Sequence, residues 1–221
     1  MCGRFAFYSP SEATAALFGV ASSMEVPPRY NIAPTQTVAA IRNGDEGREL
    51  TMLRWGLVPF WAKDPSIGNR MINARAETVA EKPAYRAAFR HRRCIVLADG
   101  FYEWRKQGDA KTPYFISLAS GEPFALAGLW ENWTDKESGE SLQTTTLITT
   151  EANAFMRELH HRMPVILEPC SADEWLAGSV EPLEQAADRT LGLKAWPVDR
   201  RVNNARNEGA ELISAAGDII Q

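Results

Sequence analysis

Cys2 stands second in the chain, followed by Gly3 and Arg4, with only Met1 ahead of it. Loss of Met1, expected in front of a small side chain, makes Cys2 the first residue of the mature protein. A terminal cysteine carries a thiol and an α-amine on adjacent carbons, with reference pKa values of roughly 8.5 and roughly 8. Together they can capture an aldehyde: the amine forms a Schiff base and the thiol closes a five-membered ring. Alternatively, the amine can serve as base for its own thiol. A cysteine at this position can also be an accident of the start codon, so other segments must supply its partners.

Three segments offer them. Asp99-Gly100-Phe101-Tyr102-Glu103-Trp104 follows an apolar run. A sharp turn there would leave Glu103 between Tyr102 and Trp104, partly desolvated and suited to proton transfer. The plainer alternative is a hairpin carboxylate facing water. His160-His161-Arg162-Met163-Pro164 lies where a helix is expected to give way to a strand. One of two adjacent histidines must point away, so at most one is an acid or base; the alternative is that they complement a helix C-terminus. Asn73 and Arg75 share a face if their segment is extended. An amide and a guanidinium so placed can hold a phosphate or sugar oxygen. The alternative is a surface ion pair between Arg75 and Glu77.

Composition narrows the classes. The chain has 221 residues, 45% hydrophobic and 24% charged, with a formal net charge of −4. These are ordinary globular values for one domain over 1–221. The net charge argues against nucleic-acid binding by bulk charge but leaves room for a local basic groove. No apolar run approaches the ~20 residues that cross a bilayer, and no signal peptide is evident, so a cytoplasmic location is expected. Only three cysteines and three histidines are present, without C-x-x-C spacing, which points away from a disulfide framework and from a metal site. Cys94, in Arg93-Cys94-Ile95-Val96-Leu97-Ala98, reads as a core residue, and Cys170 as a bystander near a helix start. Glycine-rich phosphate loops are absent. Arg29–Pro34 and Trp55–Trp61 add arginines and aromatics beside turn prolines; any exposed tryptophan among the seven would be a stacking platform for bases.

Short strands dominate the elements that must position these groups. Strands are predicted over 37–42, 49–55, 93–99, 114–119 and 164–167, with a hairpin pairing 123–130 with 141–150 across the polar loop 134–139. Helices are predicted over 10–18, 83–90 and 151–160, the last capped by Thr150, and from Ser171 to a stop at Gly178. This is a mixed α/β fold: a largely antiparallel, barrel-like β core flanked by short helices.

In this order, Cys2-Gly3-Arg4-Phe5, Arg29–Pro34, Trp55–Pro59, Asn73–Glu77, Asp99–Trp104, His160–Pro164 and Val202-Asn203 resemble the SRAP family, proteins that process abasic sites and were first described as SOS-response-associated peptidases. The resemblance covers almost the whole chain. It implies a protein that binds single-stranded DNA and crosslinks itself to abasic sites, with the N-terminal cysteine ending as a thiazolidine. Carried over, it makes Cys2 the nucleophile. Glu103 handles the proton of the amine, His160 acts on the sugar hydroxyl, and Asn73 positions sugar and N-terminus. Arg75 and Arg162 hold phosphates, with Arg4, Pro34 and Trp61 in the DNA groove. It implies no cofactor, no metal and no membrane, and a monomer acting on single-stranded DNA with abasic sites. The family's peptidase label would here concern only Met1. Two rival readings share parts of this pattern: an N-terminal-nucleophile glutamine amidotransferase, in which the same thiol attacks an amide, and a non-catalytic single-strand binder.

Overall fold

The structure is a computed structural model that describes residues 2–21, 24–188 and 191–220. The expected loss of Met1 lies outside the described residues. The strands are β1 (Phe5–Phe7), β2 (Arg29–Ile32), β3 (Thr37–Gly44), β4 (Gly47–Trp55), β5 (Asn73–Arg75), β6 (Arg93–Ala98), β7 (Gly100–Gln107), β8 (Ala110–Leu118), β9 (Phe124–Thr134), β10 (Ser141–Glu151), β11 (Arg162–Pro164), β12 (Ile166–Leu167) and β13 (Leu193–Pro197). The α-helices are short: α1 (Ser11–Leu17), α2 (Arg86–His91), α3 (Pro169–Leu176) and α4 (Glu181–Glu184).

The barrel expectation holds. Strands β10, β4, β3 and β6 run side by side to β9, and β9 pairs back onto β10, closing the ring. Closure removes the unpaired edges that an open sheet must protect. All these pairings are antiparallel except β10 with β4. The wall reads as β-branched and aliphatic runs, such as Cys94–Ala98 and Thr144–Thr150, whose residues are buried. Fully buried aliphatics such as Leu53, Ile41 and Ile95 contribute about 1.5–3 kcal/mol each. A second sheet, in the order β13-β8-β7-β1-β2, carries the start of the chain. Its strand β1 lies between β2 and β7, antiparallel to both.

Two expectations need correction. The Asp99–Trp104 segment is not a sharp turn but the start of β7, paired with β1 on one side and β8 on the other. Gly100 permits this: a Cβ there would meet the Phe115 ring at 2.2 Å. Asp99 holds the corner, accepting from the Tyr8 and Ser9 amides at 2.6 and 2.9 Å. The segment 151–160 is not a helix either. The β-branched run carries β10 on through Glu151, which pairs with Arg162, and only Met156–Glu158 forms a 3-10 turn. Asn153 accepts from the Met156 amide at 2.9 Å, a side-chain bond that competes with a helical ladder. Residues 152–161 thus form the loop that turns β10 back into β11, with the Ala152 amide donating to the His161 carbonyl.

Candidate active site

β1 fixes the chain start. Phe5 and Ala6 pair with Phe101 and Gly100, so the residues just ahead of β1 lie beside the next turn of β7. The Tyr102 amide donates to the Arg4 carbonyl at 2.9 Å, and the Cys2 Sγ lies 3.9 Å from that same oxygen. Glu103 comes one residue later on β7. Strand alternation separates its face from that of Tyr102 and Trp104. Those two pack into a satellite cluster with Phe115 and Val202, whereas Phe101 joins the main core that contains Cys2. The neighbours expected to desolvate Glu103 therefore lie on the other face of the strand. Glu103 is buried nonetheless, 3% exposed, on the Cys2 side.

Asn73 reaches this point from the barrel. β5 runs parallel to β10, with Asn73 opposite Leu147. The Trp55–Pro59 motif is the scaffold that brings it there. Gly56, at φ 128, approaches Gly68 so closely that a Cβ would meet the Gly68 carbonyl oxygen at 2.5 Å. The Trp55 Nε1 donates to the Ile72 carbonyl at 2.9 Å. From β5 the Asn73 Nδ2 donates to the Cys2 carbonyl at 2.7 Å, while its buried Oδ1 has no hydrogen-bond partner among the described residues.

His160 ends the 152–161 loop. Its Nδ1 lies 3.0 Å from the amide nitrogen and 3.1 Å from the carbonyl oxygen of Arg162, so that nitrogen is tied to the backbone. The ring stacks on His161 at 4.3 Å between centroids. Burial pushes its pKa below the ordinary histidine value, and the Glu103 carboxylate pulls it the other way. The thiol of Cys2 is fully buried; that burial, with the nearby Glu103 charge, pushes its pKa up to about 12. Desolvation disfavours the thiolate, so the thiol holds its proton near neutral pH.

Glu103 and His160 face a cavity of about 860 Å³, whose wall also includes Trp104, Arg105, Lys106, Lys111, Arg157 and Asn203. Cys2 is not in that wall. Among the described residues no cluster of three or more His, Cys, Asp and Glu side chains is placed to hold a metal ion.

The remaining residues singled out in the sequence are scattered around this centre. Arg4 donates from Nη1 to the Asn31 Oδ1 at 2.7 Å and to the Val202 carbonyl at 2.8 Å. Asn31, fully buried, donates onward to the carbonyls of Asn204 and Asn207, which straps the C-terminal segment against β2. Arg162 is 8% exposed and binds Glu77 through two bonds of 2.6 and 3.0 Å, so Glu77 takes Arg162 and not Arg75 as its partner. Arg75 is exposed on β5. Pro34 is half-buried in the turn between β2 and β3. Trp61 is 49% exposed and lines a separate cavity with Trp133 and Lys136. The structure thus ties Asn73 to Cys2, sets Glu103 within electrostatic reach of both Cys2 and His160, ties Arg4 and Arg162 into the scaffold, and sets Trp61 apart. Asn31 lay within the Arg29–Pro34 motif without a role of its own, and Arg157 and the β7–β8 hairpin cations were not singled out in the sequence. Arg157 lies three residues before His160, one helical turn away in spacing, and that was the only local signal.

Comparisons with known proteins agree with this architecture. The model of the family described as "SOS response associated peptidase (SRAP)" matches residues 1–205. The chain is 43% identical to the abasic site processing protein YoaM of Bacillus subtilis, over 97% of this chain and 98% of that one. It is 34% identical to the abasic site processing protein YedK of Escherichia coli, over 96% of this chain and 99% of that one. A crystal structure of a protein from Bacteroides thetaiotaomicron superposes with a TM-score of 0.86 at 27% identity, covering 97% of this chain and all (100%) of that one.

Proposed function

The chain belongs to the SOS response associated peptidase (SRAP) family, and from that premise we propose that it processes abasic sites in single-stranded DNA by joining them covalently to Cys2. The relatives' names support the lesion. The observation that carries the chemistry is the convergence of Asn73 from the barrel and Glu103 from the second sheet on the residue that becomes the terminus when Met1 is lost.

The steps balance without a cofactor. The ring-opened sugar presents an aldehyde. The α-amine of Cys2 adds to its carbon, the carbinolamine loses water, and an imine forms. The Cys2 sulfur then attacks the imine carbon while its proton passes to the nitrogen. The product is a thiazolidine, and the net loss is one water. Glu103 takes and returns the protons that move between sulfur, nitrogen and departing oxygen; a buried carboxylate near the Cys2 thiol suits that work. His160, whose pKa burial pushes below the ordinary value, works on the sugar oxygen during ring opening and on the reverse path. Asn73 holds the Cys2 carbonyl and so fixes the direction of the amine. Arg75 supplies charge for a phosphate, and the cations of the cavity wall add to it.

The test is an oligonucleotide with one abasic site, mixed with the mature protein, boiled in detergent and run on a denaturing gel. A shifted band that Cys2→Ala abolishes is expected. Glutamine hydrolysis without a shift would mark an amidotransferase instead, and reversible binding alone would mark a passive binder.

A further inference from the structure

Arg157 and His161 together line two cavities, and Arg157 also reaches a third beside Asn153 and Asp188. One is the cavity of Glu103 and His160; the other, about 450 Å³, is walled also by Arg75, Glu151 and Arg162. The two cavities share a sill, and the sill is cationic. Arg157 is exposed, and among the described residues no carboxylate pairs with its guanidinium. Arg162, by contrast, is already bound to Glu77. His161 is held in place by its stack on His160. Lys106 and Lys111 of the β7–β8 hairpin also line the first cavity. Glu158 and Glu151 are the opposing carboxylates, one in each cavity besides Glu103, and the cations outnumber them. In a chain of net charge −4 this is a local reversal of sign, and concave walls focus such a field.

We propose that Arg157 grips a backbone phosphate of a single strand crossing this sill, so that the strand runs from the hairpin lysines past Glu103 and His160, over Arg157, to Arg75. The assignment rests on the reading that this site takes single-stranded DNA. An exposed, unpaired guanidinium suits the task, because its planar fork meets two phosphate oxygens at once and no resident carboxylate must be displaced. Its place on the sill shared by the two cavities also sets what it senses: a strand long enough to occupy both passes over it.

The experiment uses the full chain with Cys2→Ala, which removes the covalent step, and an undamaged oligothymidylate of about 12 nucleotides, within the span of known single-strand sites. Fluorescence anisotropy is followed as salt is raised. Arg157→Ala should flatten the slope of log K against log[salt] by about 0.7, the loss of one phosphate contact on a single strand. Arg157→Lys should restore most of the slope, and Arg90→Ala, at an exposed arginine away from both cavities, should leave it unchanged. An unaltered slope in Arg157→Ala, with the Cys2→Ala parent binding normally, overturns the clamp. If the parent fails to bind and the wild type forms no adduct with abasic DNA, the underlying reading of the site falls instead.

Discussion

Cys2 and Cys94 are both fully buried, and burial pushes both thiols up to about 12, yet their surroundings differ. Cys94 sits in the barrel wall on β6. Its sulfur lies 3.4 Å from the Thr145 hydroxyl, and its carbonyl accepts from the Trp175 indole at 2.9 Å. Its neighbours make it a small apolar filler. Cys2 sits where two sheets meet, with a buried carboxylate, an amide that holds its carbonyl and an anchored imidazole nearby. The difference teaches that burial by itself says nothing about reactivity. On the proposed reading, what separates a filler from a nucleophile is the proton-handling company and the second nucleophile that a mature terminus at Cys2 would provide.

The largest expected effect falls on the carboxylate that Cys94 lacks. Glu103→Gln should slow adduct formation by about 10²–10⁴-fold in a quenched gel time course, the usual weight of one acid–base group. Because Glu103 lies within β7 and not in a turn, its circular dichroism and Tm should be measured beside the rate; a normal Tm with a slow rate supports the assignment. Next is the amide. Asn73→Ala removes the bond to the Cys2 carbonyl and should cost about 10²-fold in rate, the scale of a misplaced reactant. A rate within twofold of wild type would reduce Asn73 to scaffolding. Cys94→Ala should do the opposite of both: about 1–2 kcal/mol of stability lost in urea unfolding, for the cavity left in the wall, and an unchanged adduct yield. A smaller effect tests the coupling between the two ionisable groups. The Glu103 charge raises the His160 pKa against its burial. In a Cys2→Ala background, Glu103→Gln should move the His160 midpoint, read by NMR, further below the ordinary value of about 6.5. An upward movement would show that the carboxylate does not face the ring.

The same contrast explains what was legible in the sequence. The Cys94 strand, the β9–β10 hairpin and the barrel class follow from local patterns of apolar and β-branched residues, which sequence displays directly. The ordered motifs likewise carry the family. The roles within motifs were less visible, because they are fixed by partners far away in the chain. Arg4 meets Val202 and Asn31, Arg162 meets Glu77, and Asp99 meets Tyr8 and Ser9. No local spacing announces such pairs. The turn expected at Asp99–Trp104 failed for a related reason. Asp99-Gly100 is turn chemistry, but the glycine is needed for the close approach of Phe115, and the corner passes straight into β7. The helix expected over 151–160 failed because strand pairing with β11 overrode a weak helical pattern.

The most direct test of the account is the mass of the product. Mature protein incubated with an abasic oligonucleotide should yield one species whose mass is the chain without Met1 plus the oligonucleotide less one water, and borohydride should add nothing to it because the ring has closed. Cys94→Ala should give the same species and Cys2→Ala none. An adduct that persists in Cys2→Ala, or one that gains two hydrogens from borohydride because it was still an open imine, would contradict the assignment of the thiol.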